Sequence, residues 1–83
     1  MKATIRGVRY DTDKAILVGQ HTHGKSGDLS YWMARLYRLP ISGRYFLVGT
    51  GGAMTVFAGE ARLLPFATHT AVDWAERYLE GAL

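Results

Sequence analysis

Apolar and polar residues alternate with a period of two along much of the first two thirds of the chain. They switch to helical spacing only at the end. Ala3–Arg9 sets Ala3, Ile5 and Gly7 against Thr4, Arg6 and Val8, which predicts a short first strand. Tyr10–Lys14 reads as a turn, because Asp and Thr side chains bond nearby backbone amides. Ala15–His21 predicts a second strand centred on Ile16, Leu17 and Val18. His23–Asp28, with two glycines, reads as a loop. Leu29–Leu39 predicts the third and longest strand, Pro40–Gly43 its turn, and Arg44–Thr50 the returning fourth strand. Gly51 and Gly52 break that strand. Met54–Phe57 fits a single helical turn or a short extended piece, and Glu60–Pro65 adds a short fifth strand.

The period changes in Thr68–Leu83. Ala71, Ala75, Tyr78 and Ala82 recur at helical spacing, with Val72 and Leu79 flanking and Trp74 beside them. Asp73, Glu76, Arg77 and Glu80 fill the opposite side. The N-cap falls at Thr68 or Ala67, and threonine is the better cap chemically. The connections between strands are too short for parallel crossovers, which need a dozen or more residues. The expectation is an α+β fold, an antiparallel four- to five-stranded β-meander with one C-terminal helix packed on one face, in a single domain over residues 1–83.

The central hairpin constrains the two sheet faces. A four-residue PISG loop opposes Arg38 to Tyr45, Tyr37 to Phe46, Leu36 to Leu47, Arg35 to Val48 and Ala34 to Gly49. One face then carries Trp32, Ala34, Leu36, Tyr45 and Leu47. It is expected to pack under the helix with Trp74, Tyr78 and Leu79, and Gly49 leaves room there for a large ring. The other face carries Tyr31, Met33, Arg35, Tyr37, Arg44, Phe46 and Val48. It is too apolar for free solvent, yet it holds two arginines. Three coverings are open: a loop or the first strand, a second copy of the chain, or nucleic-acid bases stacked on the rings with arginines on the phosphates. The candidate partner-binding residues are Tyr31, Arg35, Tyr37, Arg44 and Phe46.

Charge and composition narrow this only a little. The net charge of +3 permits contact with phosphate without demanding it, and most of the positive charge is arginine, the better residue for bidentate contact and stacking. There is no cysteine, so neither a disulfide nor a thiolate-bound metal reinforces so small a core, and self-association is expected. No apolar run is long enough to cross a membrane, and the N-terminal stretch lacks the apolar core of a secretion signal, which predicts a cytoplasmic location and no membrane partner.

Candidate chemistry is sparse. His21 and His23 share a side if the strand continues through them, and Asp28 or His69 would be a third metal ligand; a solvated turn explains the pair as well. Gly49-Thr50-Gly51-Gly52 lacks the spacing and lysine of a phosphate loop and reads better as a sharp turn. Asp11 and Asp13 fit a self-bonded turn. No nucleophile elbow or Ser-His-Asp set is readable. The expectation is a non-enzymatic chain with no catalytic residues, no cofactor and no metal.

Several segments carry a resemblance. They are Arg9-Tyr10-Asp11-Thr12 with Ala15, Leu36-Tyr37-Arg38, Gly43 with Tyr45-Phe46-Leu47, Gly51-Gly52-Ala53-Met54-Thr55 after Gly49, and Leu64-Pro65 ahead of Ala71, Trp74-Ala75-Glu76. In these the chain resembles a group of small bacterial proteins of undefined activity encoded on prophages and integrative elements. It departs from their pattern at Thr50, where an acidic residue is usual, and at Ala67, where serine is common. Larger relatives carry an appended ribbon-helix-helix tail that this sequence lacks, so no DNA binding is carried over from that module. The strand-and-helix order is also similar to coactivator-type single-stranded DNA-binding folds, which dimerise. The resemblance implies either a protein-directed inhibitor of host defence, such as an anti-CRISPR protein, or a regulatory or single-stranded nucleic-acid-binding module. A protein partner and a homo-oligomer are the expected associations, with nucleic acid the alternative.

Overall fold

Four strands pair in chain order into an antiparallel meander: β3 (Ile16–His23), β4 (Trp32–Arg38), β5 (Tyr45–Gly51) and β6 (Arg62–Phe66). A separate two-stranded ribbon, β1 (Lys2–Ile5) with β2 (Val8–Asp11), precedes them, and one helix, α1 (Thr68–Tyr78), follows. The architecture comes from a computed structural model that describes residues 1–25, 27–59 and 61–81. Glu60, at the start of the expected fifth strand, and Ala82 and Leu83, at the end of the expected helix, lie outside the described residues.

The hairpin forms in the register that the PISG turn dictates. Arg38 opposes Tyr45, Leu36 opposes Leu47, and the ladder runs on to Trp32 opposite Gly51. The Leu39 amide donates to the Arg44 carbonyl at 2.8 Å, and the Gly43 amide to the Leu39 carbonyl at 2.9 Å. Gly43 takes a φ of +73°, where a side chain would be strained. Because opposed residues share a face, one register sorts the whole sheet.

The sorted apolar side is covered by α1. Ala34, Leu36, Ala71 and Ala75 are fully buried, and Leu47 and Phe57 nearly so. Facing alanines let the helix approach the sheet closely, and the larger Trp32, Trp74, Leu64 and Leu79 pack around that contact. The C-terminal end of α1 lies over β3, where Leu79 fills the space above Gly19. Ala67 caps the helix without a side-chain hydrogen bond. Val72, expected to flank the apolar stripe, is exposed, because the buried face centres on Ala71 and Ala75.

Several expected boundaries move. The helix ends at Tyr78, short of the expected Leu83, because Glu80 and Gly81 take positive φ; the expected fourth and fifth strands shift to Tyr45–Gly51 and Arg62–Phe66. Ala3–Arg9 is not one strand: it turns at Arg6 and Gly7, whose φ values of +51° and +78° make the two-residue hairpin loop between Ile5 and Val8. The expected second strand runs on to His23, with a bulge between Leu17 and Gly19. The third strand starts at Trp32 instead of Leu29. Residues 29–31 instead wrap the glycine segment: the Gly52 amide donates to the Tyr31 carbonyl at 2.7 Å, and the Met54 amide to the Leu29 carbonyl at 2.9 Å. Asp11 caps the 3-10 turn Thr12–Lys14 through its own carboxylate, which accepts from the Asp13 amide at 3.0 Å.

Candidate binding surface

The face away from α1 is built from three cross-strand rows. The first runs Leu17, Tyr37, Phe46, Pro65, the second Gln20, Arg35, Val48, Leu63, and the third Thr22, Met33, Thr50. The N-terminal ribbon closes over the first row. Phe46 has no exposed surface, because the Tyr10 ring meets it edge-on at 5.3 Å and the Tyr37 ring stacks on it at 5.2 Å. Tyr10 is itself buried. An isolated two-stranded ribbon is marginal in water, so the contact of Tyr10 with Phe46 gives this one something to fold against.

The five residues singled out by sequence therefore divide. Phe46 belongs to the interior between ribbon and sheet, and a partner cannot reach it while the ribbon is in place. Tyr37 is half-buried, with one ring face occupied by Phe46. Tyr31 is half-buried before β4, its backbone committed to Asp28 and Gly52. Arg35 is exposed at the centre of the second row, where its Nε donates to the Gln20 side chain at 2.8 Å. Arg44 is exposed at the ribbon end of the sheet. Shared register brings Arg35, Tyr37 and Phe46 together; Tyr31 and Arg44 lie at opposite ends of the hairpin.

What remains open is the second and third rows. Met33, Val48 and Leu63 are half-buried, and none packs against the helix-side core. Leu17 is 52% exposed at the edge of the same face. Arg35 stands among them as the single cation of the two rows.

A basic end adjoins this face. Residues 1–45 hold eight Lys and Arg against three Asp, whereas the rest holds two against four. Arg6 and Arg44 line a cleft of about 500 Å³ with Tyr10 and Phe66, and Arg44 also borders a second cleft with Arg9, Lys14 and Ile41. Ile41 is fully exposed at the tip of the β4–β5 turn.

The other sequence candidates have structural roles. His21 and His23 do share a side, but they pack on aromatic rings there: His21 lies tilted 5.3 Å from Trp32 and 4.9 Å from Tyr78, and His23 stacks on Trp32 at 5.9 Å. Among the described residues no three potential metal ligands converge. The glycine segment serves packing. A Cβ on Gly49 would enter the Phe57 ring, and one on Gly52 would sit 2.6 Å from the Asp28 carbonyl. Sequence reasoning found the space above Gly49 but not its occupant, since Phe57 lies in an irregular segment with no periodic signal. No helix among the described residues is long and apolar enough to cross a membrane. The chain matches no protein-family model, no curated protein and no solved structure.

Proposed function

We propose that this chain is a small, non-enzymatic cytoplasmic binding module that acts by protein–protein contact through the open rows of its sheet. The observation that carries the reading is the set of half-buried Met33, Val48 and Leu63, with exposed Leu17 at the edge, that lies outside the core around exposed Arg35 and is interspersed with polar Gln20, Thr22 and Thr50. Apolar side chains left outside the core on one face favour a contact site, and an arginine beside them is a frequent interface anchor. The fitting partner is a protein surface that is apolar with a carboxylate opposite Arg35. From the resemblance read in the sequence alone, we further propose a host-defence component as that partner.

Nuclease-treated pull-down from a bacterial host lysate tests this, with the parent and with Arg35→Glu/Met33→Ser as baits. The parent is expected to retain a protein through nuclease treatment, and the variant to lose it with its circular dichroism unchanged. Retention by the variant, or loss of all capture with nuclease, overturns the proposal.

A second reading, single-stranded nucleic-acid binding, is favoured by the basic end around Arg6, Arg9, Lys14 and Arg44. Base stacking on the sheet is disfavoured, because the Tyr37 and Phe46 rings are stacked on each other. Salt separates the two: counterion release makes phosphate-driven binding fall steeply with salt, and an apolar protein interface changes far less.

A further inference from the structure

The meander has two edges, and they differ in chemistry. β6 is five residues long, starts at Arg62 and contains Pro65, so it is short, charged and missing a donor. These are the devices that keep an edge from pairing. β3 is eight residues long, ILVGQHTH, with no Lys, Arg, Asp, Glu or Pro. Its one irregularity is the bulge at Val18, which leaves Gly19–His23 in regular register against β4 and unpaired on the other side. Alternate residues there direct backbone N–H and C=O groups outward. Ile16 and Leu17 are 46% and 52% exposed on the same strand, and half-buried Leu79 and Tyr78 lie above it at the end of α1.

We infer that β3 pairs with β3 of a second copy of this chain, joining two meanders into one eight-stranded antiparallel sheet. A two-fold axis through His21 opposes Gly19 to His23 and Gln20 to Thr22. No like-charged Lys, Arg, Asp or Glu side chains then meet. The edge is its own complement, which is what an isologous contact requires. The same axis puts both helices on one side of the joined sheet, with their Leu79 ends flanking the seam. This pairing uses the backbone edge and brings only Gln20 and Thr22, the β3 ends of the open rows, to the seam; Arg35, Met33, Val48 and Leu63 stay free, so it does not rest on the proposed partner contact.

Sedimentation equilibrium from low micromolar to near-millimolar concentration tests it. The parent is expected to approach twice the 9.2 kDa chain mass. Gln20→Lys/Thr22→Lys places lysines of the two copies opposite each other and is expected to weaken the dimer by about a hundredfold or more. Thr50→Lys puts the same charge on the same face two strands inward and is expected to leave the dimer intact. A parent that stays at the chain mass, a double variant that dimerises normally, or dissociation by Thr50→Lys overturns the inference. Hydrogen exchange on the parent needs no variant: the outward-facing, alternate amides within Gly19–His23 should exchange more slowly as concentration rises. Exchange there that is independent of concentration also overturns it.

Discussion

Phe46→Ala separates an interior role from a surface role at the residue where sequence and structure part most sharply. The ring is fully buried between Tyr10 and Tyr37. An aromatic side chain buries about 150–250 Å², worth roughly 4–6 kcal/mol at 25 cal/mol per Å² as an upper bound. Measured truncations of buried Phe cost about 3–5 kcal/mol, in agreement. Small domains hold about 5–15 kcal/mol in total, so this variant is expected to be near its unfolding limit at 25 °C. With about 4–8 °C lost per kcal/mol in a domain this size, its Tm should fall by more than about 12 °C in a circular dichroism melt. Tyr10→Ala should cost less, and the double variant should cost less than the two single changes together, because both remove the same edge-on contact. A Tm within a few degrees of the parent would refute the ribbon-over-sheet packing and return Phe46 to the surface.

Other changes test other parts of the packing. Leu47→Ala, beneath the helix at 2% exposure, should cost about 2–5 kcal/mol in chemical denaturation. Gly49→Ala drives a methyl group into the Phe57 ring and should destabilise by about 1–3 kcal/mol in the same assay. Ala67→Asp supplies the missing N-cap acceptor and should stabilise by about 0.5–2 kcal/mol, read as a higher Tm. Arg6→Asn relieves an arginine at φ +51° in a turn that prefers Asn-Gly, and should also raise the Tm, by about 4–8 °C if it returns the roughly 1 kcal/mol that the left-handed conformation costs.

The central hairpin was legible in sequence for a physical reason. A proline and a glycine fix the turn, and strict alternation on both sides leaves one register that buries Leu36 opposite Leu47. The helix was legible from its 3.6-residue spacing, although its exposed Val72 shows that hydrophobic flanking residues overstate the buried stripe. The N-terminal ribbon was not legible. Strands of four residues carry too little alternation to count, and Arg6-Gly7 lacks the Asn-Gly or Asp-Gly signal of a tight hairpin. The cover of Phe46 was therefore left open between a loop or the first strand, a second copy and nucleic acid, and it is the first of these, through Tyr10 of the ribbon, that the structure shows over Phe46. The candidate surface was thus half readable: Arg35 and its face follow from register alone, whereas which rows stay open depends on where the ribbon docks.

Methyl-resolved NMR of the chain, free and bound to the protein captured in the pull-down, tests the central claim most directly. The account predicts shifts and broadening at the methyls of Met33, Val48 and Leu63 on the open rows and of Leu17 at the edge of that face, with buried Leu36 and Leu47 little changed. Unmoved open-row methyls, with shifts confined to the exposed Met54, Val56 and Val72, would contradict it.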